Sequence, residues 1–524
     1  MRMLIPFWIL FFPIALYAQT ADILIKNGKI MNGTGNAWFY GDVAVVHNKI
    51  VAVGHLEQWK SSQIINAEGM IVAPGFIDVH THIEGNEARN PTADNFIYDG
   101  VTTVITGNCG LSKVDIGQYF NYLDSLHVSI NIASLIGHND IRKAVMGTVR
   151  RAPTSTEMQQ MEAIMRKAMQ DGAVGLSTGL IYIPGTYATT DEVVALAKIA
   201  ASYHGVYATH MRDEGDSVVP AIKEALYIGT SAGLPIEISH FKLSGQQNWG
   251  RSNETLGLIK EARKQGTDVT IDQYPYTASS TNLGTLLPDW VLADGDDSIH
   301  LRLSNPVMRS QVINYMLKRL SKRKLKHFSY TIVANYTFDT TLNGKSIEEI
   351  NLLKGRKHSA QAEAETVIEM IQHGGAAMVF HGMSETDVQY IMQYPYCMFG
   401  CDAGIRVFGE GVPHPRGYGS NAKILGKYVR EEQLFTLEQA IRRMTSLPAQ
   451  KFHLQNRGLL LPGYAADIVV FDPNTVMDKA TYNKPHQYAV GFKYVIVNGA
   501  ITLSNGVHTG IRNGTTLKNA DLLL

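Results

Sequence analysis

The sequence predicts an α/β protein: a (β/α)8 barrel of the TIM type, with a small β-sandwich built from both chain ends. Three observations carry this. Eight short apolar runs alternate with helix-patterned segments between positions 75 and 404, the texture of βα units on a parallel sheet. Side chains capable of chemistry fall at the ends of those runs, and in a barrel that end carries the site. The two chain termini share a turn-rich antiparallel texture, and neither is large enough to fold alone. A length of 524 residues suits a barrel of roughly 250 residues or more plus a second domain.

In chain order, residues 1–18 combine Arg2 with an apolar stretch from Met3 to Tyr17 that ends at Ala18. This is shorter than the roughly 20 residues of a spanning helix and predicts a cleaved signal peptide, hence a secreted or periplasmic protein. No later segment is apolar for long enough to span a bilayer. Residues 19–75 hold short β-rich runs broken by the turns NG and GTG, and 447–524 repeat the pattern in GYAADIVVFDPNT and FKYVIVNGAITLSNG; the two pieces are expected to pair into one sandwich.

The barrel is placed at 76–446. Its strands are read from GFIDVHTH, TTVITGNCG, INIASLIGH, GAVGLSTGL, VYATHMRDE, PIEISHFKL, DVTIDQYPY and CMFGCDAG. Helices are expected around STEMQQMEAIMRKAMQDG, TDEVVALAKIAASYHG and ETVIEMIQHGG, each with a capping residue before it or a glycine after it. From about 284 to 345 the regularity lapses into stretches such as LKRLSKRKLKH, which reads as a lid insertion after the seventh strand.

Lys+Arg and Asp+Glu balance at 47 each, which removes the electrostatic footprint of a nucleic-acid binder. Three cysteines are too few for a disulfide framework. If Cys397 and Cys401 share a strand they lie roughly 13 Å apart, beyond the roughly 7 Å limit for a bridge, and they read as core residues.

Cys109 is different, because it ends the second strand. His80 and His82 end the first, His210 the fifth, His240 the sixth and Asp402 the eighth. Residues two apart in a strand point the same way, so the HTH pair presents two imidazoles to one side. Imidazole and thiolate donors converging on one barrel face suit a borderline-soft cation such as zinc, and coordination accounts for a lone cysteine.

VAPGFIDVHTHIEG, GVTTVITGNCGLS, GLSTGLIYIPGTYA, ATHMRDEGD, ISHFK, DQYPYTASST, GCDAG and HPRGYGSN resemble the successive motifs of the D-aminoacylase (N-acyl-D-amino-acid deacylase) branch of the amidohydrolase superfamily. NGKIMNGTG and GYAADIVVFDP resemble that superfamily's split β-sandwich. The resemblance implies a tightly bound zinc on Cys109, His210 and His240, and a second, weaker position at His80 and His82 with Cys109 bridging and Asp402 alongside. It also implies that Tyr182, Lys242, Ser279 and Arg416 hold the substrate carboxylate; the planar fork of Arg416 suits that task. Many amidohydrolases bridge two metals with a lysine on the fourth strand, and GLSTGLIY offers none.

The expected chemistry is hydrolysis of the amide of an N-acyl-D-amino acid, or of a D-residue peptide-like amide, with Asp402 as general base and then acid. The D preference comes from the resemblance alone. The alternatives are a cyclic-amide hydrolase or dipeptidase of the same superfamily, and an inactive barrel retained as a binding protein. Arg212, Asp213 and Glu214 follow His210 closely enough to form a supporting network, whose targets the sequence leaves open. His138 and His381 are assigned no role.

Overall fold

The computed structural model describes residues 19–519; the segment read as a signal peptide lies outside them. Among the described residues no helix is long and apolar enough to cross a membrane.

β1 (Thr20–Ile30), β2 (Phe39–Val46), β3 (Lys49–Gly54), β4 (Lys60–Asn66) and β5 (Ile71–Pro74) form one end of a nine-stranded sheet. The long β1 is the pivot, with β2 antiparallel on one side and β4 then β5 parallel on the other. The C-terminal strands join through β5, where Ile468 faces Pro74 and Phe471 faces Ile71 in antiparallel register. The sheet encloses Ile23, Ile25, Val43, Val72, Ile468 and Ile496, so its core draws on both chain ends and neither end could bury its apolar face alone.

The eight predicted runs are the eight barrel staves: β6 (Phe76–Asp78), β7 (Val101–Thr106), β8 and β9 (Asn131–Ser134, Ile136–Gly137), β10 (Gly175–Gly179), β11 (Val206–His210), β12 (Ile236–Ile238), β13 (Val269–Gln273) and, after the insertion, β17 (Cys397–Phe399). All pairings between them are parallel. The ring closes where Asp402 N donates to His80 O at 2.8 Å and Thr81 bridges Ala403. Alternate strand residues divide between two clusters, as a pleated strand requires. Leu176, Tyr207, Ile236 and Ile238 pack with the surrounding helices. Ile77, Ile105, Ala133, Ala208 and Met398 pack together with Phe452 and Leu454.

The expected helices occur at Ser155–Gln170, Thr190–Ser202 and Ala360–Gln372. The first starts on a capping box in which Thr154 and Glu157 satisfy each other's backbone N–H.

The insertion is larger and more regular than 284–345. It carries a three-stranded antiparallel sheet of β14 (Ala278–Asn282), β15 (Thr331–Asn335) and β16 (Ala377–His381), with its own apolar cluster reaching from Leu283 to Met378. The basic stretch lies mostly on a helix, Pro306–Lys322, that buries Val312, Ile313, Met316 and Leu320. Dense surface charge conceals that helical spacing from a reading of composition.

Candidate metal centre

Three of the residues expected at the site have left-handed backbones: Cys109 (φ 55°), His240 (φ 36°) and Asp402 (φ 51°). A non-glycine residue pays for that conformation with local strain, and here each sits just past a strand end. The chain leaves little room around them. A Cβ on Gly179 would stand 2.1 Å from the Cys109 carbonyl oxygen, and one on Gly400 2.5 Å from His80 Cβ.

Cys109 Sγ is the hub. It lies 3.3 Å from His80 Nε2, 3.7 Å from His210 Nδ1 and 3.6 Å from His240 Nε2. Zinc–sulfur and zinc–nitrogen bonds of about 2.3 and 2.0–2.1 Å at tetrahedral angles set their donor atoms about 3.6 Å apart, so the donors fit a zinc-type ion. Asp402 Oδ1 extends the group, 3.6 Å from His80 Nε2 and 3.2 Å from His82 Nε2. The six predicted ligands thus form overlapping groups, His80 with Cys109 and His240 and His80 with His82 and Asp402, while His210 joins through Cys109 and through His240. His80 belongs to both groups: its Nε2 faces Cys109 at 3.3 Å, and it stands with His82 and Asp402 at the expected second position.

Electrostatics agree with this packing. Burial pushes the Cys109 thiol up, but charge on His80 and hydrogen bonds to His210, His240 and His80 outweigh it and hold the thiol well below its ordinary range. Burial likewise opposes charge on Asp402, yet Arg416, His80 and a hydrogen bond to His82 keep its carboxyl well below the usual carboxylate range. The thiol and the carboxyl are thus held in the deprotonated form that a cation requires, whereas the same two anions, against burial, favour the proton on His80 and His82, which a cation would displace.

Behind the ligands stand carboxylates that the sequence did not single out or could not assign. Asp272, wholly buried, faces His80 Nδ1 at 3.2 Å and accepts from His240 N at 2.9 Å. Glu214 Oε1 lies 2.9 Å from His240 Nδ1. Each fixes a ring so that its other nitrogen faces Cys109. Asp272 was legible only as an acid inside the apolar run VTIDQ, a placement that needs a polar partner. Arg212 is turned to Glu224, Asp213 accepts from Gly215 N and Ser217 N, and His138 pairs with Glu192 away from the ligands.

A cavity of about 930 Å³ opens above the centre, lined by His82, Cys109, Tyr182, Asp402 and Arg416 and by Ser280, Thr281 and Arg319 of the insertion. A second, of about 480 Å³, shares Tyr182 and Asp402 and adds Lys242 and Ser279. The four predicted substrate residues all reach these walls. Arg416 is buried, with Nη1 2.8 Å from Asp402 Oδ2, but that contact is too poorly aligned to be a hydrogen bond, and its Nε has no partner among the described residues. Lys242 is less free: its ammonium donates to Glu214 Oε1 at 2.5 Å and to His240 O at 3.0 Å. The Tyr182 ring lies 4.7 Å from that of His210, and its hydroxyl accepts from Thr281 Oγ1.

The amidohydrolase family pattern matches residues 63–325 and 397–503. The chain is 35% identical to a D-aminoacylase of Alcaligenes xylosoxydans xylosoxydans, over 95% of this chain and 98% of the relative. The chain belongs to the amidohydrolase family, in its D-aminoacylase branch. An N-acyl-D-glutamate deacylase from the same organism is 34% identical, covering 92% of this chain and 93% of its own. The crystal structure of N-acyl-D-glutamate deacylase from Bordetella bronchiseptica, in complex with zinc and a phosphonate mimic of the tetrahedral intermediate, superposes with a TM-score of 0.81 at 35% identity, covering 95% of this chain and all of that one. Two of the motifs that carry the branch, VHTH and GNCG, thus supply the residues that converge here. The match breaks off at 326–396, within the insertion.

Proposed function

We propose that this protein hydrolyses the amide bond of N-acyl-D-amino acids with a zinc ion held by Cys109, His210 and His240, and with His80, His82 and Asp402 offering a weaker second position that Cys109 bridges. The observation that carries the reading is the ring of imidazoles around Cys109 Sγ, with Asp402 and an incompletely satisfied Arg416 at the edge of one cavity. The relatives named D-aminoacylase and N-acyl-D-glutamate deacylase support the substrate class.

Bound zinc supplies an activated water and polarises the amide carbonyl. The chain's own residues do the rest. Asp402, held ionised and within reach of the ligands, takes the proton of the attacking water and returns it to the leaving nitrogen, which departs poorly unprotonated. Arg416 turns its free Nε, together with Nη2 on the same edge, to the substrate carboxylate, a planar bidentate match that also relieves a buried, unsatisfied donor while Nη1 stays beside Asp402. Tyr182 lines both cavities and Ser279 the second, and the two orient the acyl amino acid. Lys242, already engaged by Glu214 and His240, positions those two groups and reaches the carboxylate only from the second cavity. Export of the chain, directed by residues 1–18, belongs to the same reading.

Zinc content and turnover of the mature protein on paired N-acetyl-D and N-acetyl-L amino acids test this. Hydrolysis confined to the D series, lost on chelation and restored by zinc, is expected. Zinc-loaded protein that hydrolyses neither series would overturn it.

A further inference from the structure

A second group of metal-ligating side chains lies in the insertion, and none of its members lines either cavity of the barrel site. We propose that His327, Glu348, His358 and Glu363 form a separate binding site for a zinc-class divalent cation, which clips together the starts of two insertion helices.

The four ligand atoms all lie within 4.8 Å of one another although they come from separate segments. His327 precedes the turn Phe328–Tyr330, and Glu348 lies in the first turn of the helix Ile347–Leu353. His358 lies in the connection that follows, and Glu363 in the helix Ala360–Gln372. His327 Nδ1 is 2.6 Å from Glu363 Oε1 and 3.7 Å from Glu348 Oε1, and His358 Nε2 is 2.6 Å from Glu348 Oε1. The two imidazoles stack with centroids 4.2 Å apart, which brings both rings to the same carboxylate. Tetrahedral zinc with nitrogen and oxygen ligands sets donors ~3.4 Å apart, so the two short contacts need open by less than ~1 Å.

Charge favours a cation here. Glu363 is completely buried, and its other oxygen accepts from Phe328 N at 2.7 Å. Among the described residues neither Glu348 nor Glu363 pairs with a lysine or arginine; the neighbouring Lys354 and Arg356 are both turned to Glu369. An imidazole compensates a carboxylate only when protonated, whereas one divalent ion satisfies all four groups at once. Two nitrogen and two oxygen donors select zinc, cobalt, nickel or copper over calcium and magnesium, which favour all-oxygen sites. Such an ion stabilises the insertion by binding the folded form alone.

The test uses the full mature protein, a His327→Ala/His358→Ala variant and Glu348→Gln, each stripped by chelation and dialysed against cobalt(II). The expected result is one equivalent less cobalt in both variants, with the thiolate-to-cobalt absorption of the Cys109 centre and the activity unchanged. A metal-dependent rise in melting temperature should be smaller in the variants by the share due to this site. Glu348→Gln preserves shape and an acceptor for His358, so it reports even where the double variant folds poorly. Equal cobalt content in the wild type and Glu348→Gln, or a loss confined to the thiolate absorption, overturns the proposal.

Discussion

Glu214→Gln is the most informative single change at the barrel site. Glu214 and Lys242 form a buried pair at 2.5 Å with side chains only 8% and 6% exposed, and the same oxygen faces His240 Nδ1. Burial pushes the Glu214 carboxyl up, but Lys242, His210 and His240 together hold it far below the usual carboxylate range. Neutralising it strands an ammonium in the interior, which costs about 3–5 kcal/mol of stability. It also weakens the orientation of a ligand ring, worth about 10–100-fold in metal affinity. Glu214→Gln/Lys242→Met separates the two effects: removing both charges should recover most of the stability, because a buried pair is worth little against apolar packing, but should not recover the zinc affinity. Denaturant unfolding measures the first quantity and chelator competition the second. If Glu214→Gln lost less than about 1 kcal/mol and kept wild-type zinc affinity, the reasoning from buried charge to ligand orientation would be wrong.

Asp402→Asn should keep its zinc on the Cys109 centre while turnover falls by about 10²–10⁴-fold; parallel zinc analysis and kcat measurement check this, and an active variant removes Asp402 as the proton carrier. Chelation should expose one fast-reacting thiol to a thiol reagent, absent in Cys109→Ser, because burial pushes the Cys397 and Cys401 thiols up whereas Cys109 is held low by its imidazoles despite burial. Asp99 is raised from 3.8 to about 7 by burial, against hydrogen bonds from Asn421 and Ala422. Its folded form therefore prefers the proton, and the stabilisation is complete below about pH 4 and lost as pH rises through 7, by at most ~4 kcal/mol. The melting temperature of the wild type relative to Asp99→Asn should accordingly fall between pH 4 and 8, and a constant difference would mean that the carboxyl is ionised throughout.

The barrel was legible because its period is local: strand-length apolar runs such as INIASLIGH and VYATHMRDE alternate with helical segments, and eight such units close a ring whatever fills the loops. The ligands were legible for the same reason, since each ends a run and all such ends share one face. The insertion was legible as a lapse in that regularity, but not in its extent or its internal elements. Its helix Pro306–Lys322 buries four residues under a basic surface, and charge density masks spacing.

By itself the sequence determined the order of the staves, the sandwich shared between the termini, and the six side chains of the candidate metal centre, three of them imidazoles around Cys109 Sγ. Only the tertiary structure decided which carboxylate stands behind which imidazole, that Lys242 is committed to Glu214, and that two histidines and two glutamates of the insertion converge. Strand periodicity is written in neighbouring residues. Contacts such as Asp272 to His80, 192 positions apart, are set by how the staves register once the barrel has closed, and no local pattern encodes that.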